Sequence, residues 1–196
     1  MDSKLDYDIF YIFNAEYDNE SLAVAPINYK DISFEEKSRF YLGDFSKTKP
    51  EYFIQVSGKK ICDIVIAGAP SFNLFSDRII VALRQNEVTG WGSFPVVIRT
   101  DSMQELNNYH VFYITGKAEK ADINLSEKTE ILLPNKTRKI RDKGYFFPLD
   151  SWEGTDVFYH VGTLGFITVT ENIKNIFESL KVTNVHFEKC TEFIWP

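Results

Sequence analysis

The chain has two cysteines, Cys62 and Cys190, in 196 residues, too few for a disulfide framework. Each reads as a small buried hydrophobe in a reducing compartment, so the cytoplasm is the expected location; the two would pair only if the fold brought them together. No apolar run approaches the roughly 20 residues a membrane helix needs. The opening MDSKLDYDIFYIF carries acids where a secretory leader is basic, and its apolar stretch is short for one. Basic surplus is missing as well. Lys and Arg number 22 against 28 Asp and Glu, a formal charge of -6, which argues against a dedicated nucleic-acid binder and suits a basic partner instead.

Catalytic signatures are also missing: no G-x-S-x-G elbow, no phosphate loop, no G-x-G-x-x-G and no H-E-x-x-H. His110, His160 and His186 lie far apart in strand-like sequence. Without Cys-x-x-Cys or paired-His spacing they read as structural or surface groups rather than zinc ligands. The expectation is a protein that binds rather than catalyses, with no metal and no cofactor.

What the chain does have is aromatic residues: 17 Phe, 10 Tyr and 3 Trp, 15% of the total. Such residues favour pleated, half-buried surfaces, so substantial sheet is expected. The length allows one sizeable domain or two small lobes sharing a core. DYDIFYIFNA (6–15) alternates as a strand does and leads into a polar, acidic region in which SFEEKSRF holds at most a short helix. EYFIQVSG, ICDIVIAG, SFPVVIR, YHVFYITGKAE and VHFEKC read as strands. Gly68, Ala69 and Pro70 punctuate a turn. DVFYHVGTLGFITVT reads as a strand or hairpin, and TEILLPNKTRKIRDKGYFFPL as two apolar arms around a polar connection.

One pattern occurs twice. SDRIIVALRQNEVTG (76–90) and TENIKNIFESLKVTN (170–184) align at constant spacing, matching Ser76 with Thr170, Asp77 with Glu171, Ile79 with Ile173, Val88 with Val182, Thr89 with Thr183 and Gly90 with Asn184. Ser76 and Thr170 suit a helix N-cap, and the acid after each favours the dipole. Ile173, Ile176, Phe177 and Leu180 make a one-faced stripe; Ile79, Ala82 and Leu83 do so less regularly, broadened by Ile80 and Val81. Gly90 and Asn184 tolerate positive φ, so the chain is expected to turn there. The expected class is therefore α+β, with mixed or antiparallel sheets and two related helix-turn-strand units (76–99 and 170–190) around a shared core. Residues 1–50 remain an unassigned N-terminal strand and polar region, and 51–196 form the repeat-bearing domain.

These residues carry a resemblance. The runs Leu74-Phe75-Ser76-Asp77-Arg78-Ile79 with Val88-Thr89-Gly90, and Val169-Thr170-Glu171-Asn172-Ile173 with Val182-Thr183-Asn184-Val185-His186-Phe187, together with SWEGTDVF (151–158), are similar to a bacterial family. It was first catalogued as a domain of unknown function and then labelled an immunity domain of polymorphic toxin systems. The similarity spans roughly residues 60–190. It implies a protein that binds and neutralises a cognate toxin, and no catalytic residues carry over.

For the partner-binding surface the candidates are Asp150, Trp152, Glu153 and Asp156 in DSWEGTD, together with Trp91. The acids offer charge to Arg or Lys and Trp152 offers an interface anchor, in a run from Gly144 to Ile173 that holds no Lys or Arg. The alternative reading makes Trp152 core, Glu153-Gly154 a turn and Asp156 its cap. Trp91, between glycines, is either exposed or fills the groove between the units. PNKTRKIRDKG (134–144) reads as a solvated hairpin tip or a surface for an acidic partner. The rival functions are an enzyme or small-ligand receptor with a pocket between the units near Trp91 and Trp152, and a self-associating adaptor.

Overall fold

A computed structural model of the chain describes residues 7–195 apart from 29, 34, 36–38, 48 and 69–71. Half of SFEEKSRF (34 and 36–38), and Ala69 and Pro70 of the expected turn, therefore lie outside the described residues.

The architecture is α+β. It is built from two related sheets that share one core. The first sheet contains β4 (Ile64–Ile66), β5 (Asn73–Ser76), α1 (Asp77–Gln85), β6 (Trp91–Arg99) and β7 (Glu105–Ile114). With β2 (Ala23–Pro26) and β3 (Tyr52–Ser57) its strands close into a barrel of order β2-β3-β6-β7-β5-β4. The second sheet, of order β13-β1-β12-β11-β8, uses β1 (Phe10–Ala15), β8 (Gly116–Ala118), β11 (Val157–His160), β12 (Thr163–Thr170) and β13 (Val185–Lys189), with α2 (Glu171–Ser179) between β12 and β13. β9 (Glu127–Leu132) and β10 (Arg138–Lys143) form a separate antiparallel ribbon; its second strand lies within the 134–144 stretch expected as a polar tip, while the apolar Tyr145, Phe146 and Phe147 expected in the second arm are buried in the core instead.

The repeat is larger than its helix. β4-β5-α1-β6 corresponds to β11-β12-α2-β13, and the counterpart of β7 is β1, taken from the other end of the chain. β6 faces β7 with Trp91 opposite Ile114, Ser93 opposite Phe112 and Pro95 opposite His110. β13 faces β1 with Val185 opposite Ala15, Phe187 opposite Phe13 and Lys189 opposite Tyr11. Registers against β5 and β12 agree as well: Ser76 meets Tyr109 where Thr170 meets Phe10, and Asn73 meets Phe112 where Ile167 meets Phe13. Residues 10–15, which precede the repeat-bearing region in sequence, thus form an inner strand of the second unit's sheet.

Period-2 alternation then sorts the core. Leu74, Val65 and Val111 point into the barrel, while their neighbours Phe75, Ile64 and Phe112 point out toward the helices. In the second unit Tyr11, Phe13, Val157 and Val169 point to the same shared layer, and Phe10, Ile12 and Phe158 to a third cluster beneath Phe147 and Tyr145. The shared layer is aromatic: Phe75 stacks on Phe112 at 4.2 Å, and Phe13 meets Phe177 edge-on at 5.9 Å. Each such ring, once buried, contributes about 1.5–3 kcal/mol from area alone.

Both helices end alike. Val88 donates to Leu83 and Glu87 to Arg84; at the matching positions Val182 donates to Phe177 and Lys181 to Glu178. This is a Schellman closure, which requires a left-handed residue. Glu87 (φ 53) and Lys181 (φ 55) take that conformation. Gly90 also has positive φ (84), as expected, but Asn184 does not. A second correction concerns the caps. Ser76 and Thr170 occupy the N-cap positions, yet neither hydroxyl bonds its own helix. Ser76 instead donates its hydroxyl proton to Asp63 and Thr170 to Asp156, charge-assisted bonds that aim each hydroxyl away from its helix. Ile79, Ile80 and Leu83 of α1 are buried and Ala82 is half-buried, whereas Val81 points outward, 48% exposed. Among the described residues no helix is long and apolar enough to cross a membrane.

Candidate functional site

The pseudo-symmetry creates two equivalent junctions where the turn after one unit's helix meets the first strand of the other unit. One is closed. The Thr89 amide and hydroxyl both donate to Asp156 Oδ2 at 3.0 Å, and the Asp156 amide donates back to Thr89 Oγ1 at 3.1 Å. Oδ1 of Asp156 takes the Thr170 hydroxyl at 2.9 Å and the Asn172 amide at 3.4 Å. Burial pushes this carboxyl upward, but the hydrogen bonds from Thr89, Thr170 and Asn172 together bring it below its ordinary value. Gly90 lies against the strand so closely that a Cβ there would sit 2.0 Å from the Val157 carbonyl oxygen.

DSWEGTD is the rim of this junction. Asp156 has committed both carboxylate oxygens to the scaffold, to Thr89, Thr170 and Asn172 rather than to the Glu153-Gly154 turn that the alternative reading had it cap. Trp152 is half-buried, donates Nε1–H to the Thr155 carbonyl at 2.9 Å and meets Phe10 edge-on at 4.9 Å. Trp91 donates to the Val88 carbonyl at 2.9 Å and stacks on Phe112 at 5.7 Å, filling the space between the units. Asp150 and Glu153 are exposed, the latter 3.5 Å from Lys117. The five candidates thus do not form one outward-facing surface. Among the described residues the shared layer leaves a cavity of only about 10 Å³, walled by side chains such as Phe13, Phe75, Phe112 and Phe177.

The other junction is open. Here Asn184 stands where Gly90 stands and Thr183 where Thr89 stands; the Glu16 amide bonds the Asn184 carbonyl at 3.0 Å, as the Thr115 amide bonds that of Gly90 at 2.9 Å. The carboxylate equivalent to Asp156 is Asp63, which accepts from Ser76 and from Arg78. Hydrogen bonding to Arg78 outweighs burial and holds Asp63 below its ordinary range. Arg78 reaches on to the Leu180 carbonyl at 2.7 Å, leaving Thr183 outside the network.

Loop length makes the difference. From β7, Ile114 leads to Lys117 in three steps, and Lys117 pairs with Tyr159 of β11. From β1, Ala15 leads to Ala23 in eight steps before it pairs with Ile66, the equivalent of Tyr159. The extra five residues belong to Glu16-Tyr17-Asp18-Asn19-Glu20-Ser21-Leu22, and this loop walls a cleft of about 530 Å³ together with Lys60, Cys62, Thr183 and Asn184. That size falls in the range of small-molecule and anchor-residue sites, about 300–1,000 Å³.

The cleft is polar and carries a carboxylate surplus. Asp18 accepts from Ser21 at 2.7 Å and from Lys60 at 3.0 Å, and these bonds hold its carboxyl well below the usual range while raising Lys60. Glu16 pairs with no cation among the described residues. The Tyr17 hydroxyl donates to Asn73 Oδ1, so burial of that end pushes the phenol up while the residue as a whole stays 36% exposed. Asn184 is 8% exposed; its Nδ2 donates to the Ile64 carbonyl at 2.7 Å and its Oδ1 has no donor among the described residues. Cys62 is a free, half-buried thiol in the same wall, and Cys190 is free and buried elsewhere. The polar region after β1 is visible in the sequence; its excess over the β7–β8 connection is visible only once the registers are known.

His160 and His110 have structural surroundings, and His186 is exposed on β13. His160 lies between the Glu119 carbonyl and Thr168 Oγ1, both at 2.9 Å, and burial lowers it to about 4. His110 Nε2 sits 2.8 Å from Asp77 at the start of α1. Among the described residues no group of three His, Cys, Asp or Glu is placed to hold a metal ion. Compared with known proteins, the chain matches no family model and no curated protein.

Proposed function

We propose that this chain is a non-catalytic binding protein of the cytoplasm that neutralises a basic protein toxin, such as a nuclease, by occupying its surface. The observation that carries this reading is the open junction. In a duplicated scaffold whose other junction is sealed, five added residues hold acids and an exposed tyrosine around a cleft, and functional groups concentrate on such loops. The net charge of -6 supports it, since an acidic surface steers a cationic partner into encounter. So does the resemblance of the repeat to toxin-immunity domains.

The test is co-expression with the product of the adjacent gene. The expected result is rescue of growth and a complex that loosens as salt rises. A neighbour that is harmless, or that fails to bind this chain at low salt, would refute the reading.

A further inference from the structure

We infer that the cleft at the open junction receives an arginine side chain of the partner. This rests on the binding reading above and names the contact it uses. A guanidinium presents five donors in a rigid plane and suits sites combining a carboxylate, further oxygen acceptors and an aromatic face. The cleft supplies each. Glu16 is a carboxylate that no described cation neutralises, and among the lining groups two carboxylates, Glu16 and Asp18, stand against one ammonium, Lys60. Tyr17 is fixed by its hydroxyl to Asn73 while over a third of the residue stays exposed, which leaves a ring for a cation to cover.

Independent of the acids, Asn184 lines the cleft and holds a buried amide oxygen that has no donor among the described residues, its Nδ2 being engaged by the Ile64 carbonyl. A buried acceptor of this kind costs stability until a donor reaches it. The related position in the closed junction is Gly90, which offers no side-chain acceptor and whose space is taken by Thr155 and Val157. The recognition group is therefore present only where the cleft is open. A lysine ammonium, a compact point charge, would satisfy Glu16 but not the dispersed acceptors and the ring together.

The experiment titrates the full isotopically labelled chain with N-acetyl-arginine amide, with its lysine analogue and with the neutral isostere N-acetyl-citrulline amide, followed by NMR. Saturable shifts at Glu16, Tyr17 and Asn184 are expected with arginine, with binding at least tenfold weaker for citrulline and weaker for lysine. Glu16→Gln removes one charge-assisted bond and should weaken binding by about tenfold. Thr183→Phe, at an exposed wall position, should fill the cleft and abolish the shifts without changing the melting temperature. Absence of saturable shifts, equal binding of citrulline, or shifts unaffected by Thr183→Phe would overturn the assignment. A toxin captured equally by the wild type and by Thr183→Phe would remove this site and leave the binding function standing. Arginine binding without any toxin partner would do the reverse.

Discussion

Thr89 and Asp156, 67 residues apart, are joined by hydrogen bonds of 3.0, 3.0 and 3.1 Å that fasten the turn of one repeat to the first strand of the other. The bond set is reciprocal, because the hydroxyl both donates to the carboxylate and accepts from the aspartate amide. Asp156→Ala strands the Thr89 and Thr170 donors and should cost about 2 kcal/mol, a moderate value because the carboxylate is partly solvated. Asp156→Asn keeps one acceptor oxygen and should cost about half as much. Gly90→Ala should cost more than either, about 3 kcal/mol or above, because positive φ and a Cβ 2.0 Å from the Val157 oxygen act together. Urea unfolding midpoints rank the three, and an Asp156→Ala midpoint equal to wild type would show that the clasp is not a source of stability.

Acid should weaken the fold in two stages with different owners. His160 has its folded value near 4 against an ordinary 6.5, so between those limits only the unfolded chain takes up the proton. Stability is complete above about 6.5 and declines as pH falls toward 4, by as much as about 3 kcal/mol. Asp63 and Asp156 are held below their ordinary values. Their contribution is present above the unfolded value of about 3.9 and is lost as pH drops through the lower folded values. Melting temperatures from pH 7 to 3 follow both stages. His160→Gln should flatten the first and leave the second, and a His160 ring resonance that titrates near 6.5 would contradict the assignment.

Both helices close through a side-chain-bearing residue in the left-handed region, where glycine is the unstrained choice. Glu87→Gly and Lys181→Gly should each stabilise the protein by about 0.5–1 kcal/mol. The gain should be larger at position 87, because glutamate opposes the negative helix C-terminus whereas lysine complements it. Thermal denaturation of the two single variants decides this, and destabilisation at either site would mean that its side chain makes a contact worth more than the backbone strain.

The pair of amphipathic helices is legible because stripes and turns are local: Ile173, Ile176 and Phe177 declare their buried face by spacing alone. The partnership of Phe10–Ala15 with the second unit is not, since it joins strands at opposite ends of the chain, Phe10 with Thr170 and Tyr11 with Lys189, and its match to β7 lies in pairing register rather than in residue identity. The same holds for the cleft. Glu16-Tyr17-Asp18 reads as an acidic loop, and it becomes a candidate site only by comparison with the Thr115 crossing that closes the other junction. In DSWEGTD the acids and tryptophan read as an interface, yet Asp156 serves the junction as a multi-acceptor carboxylate and Trp152 as a large ring packed on Phe10, which are requirements of scaffold.

Asp150 and Glu153 remain exposed acids at the rim of the closed junction, and their effect on a partner should differ in kind from that of Glu16. Reversing both to lysine should leave stability within about 0.5 kcal/mol, since neither is buried and the Lys117 pair is solvated. Against a basic toxin the reversal subtracts four units of charge from the steering field, so the association rate should fall several-fold, most at low salt. The dissociation rate should stay unchanged, because steering charges act before contact is made. Glu16→Gln should do the opposite, accelerating dissociation with little effect on association, since it removes a bond formed only in the complex. Surface-binding kinetics at two ionic strengths separate the two behaviours. If the reversal at 150 and 153 accelerates dissociation while Glu16→Gln does not, the partner sits on the closed junction's rim and the cleft is not its anchor.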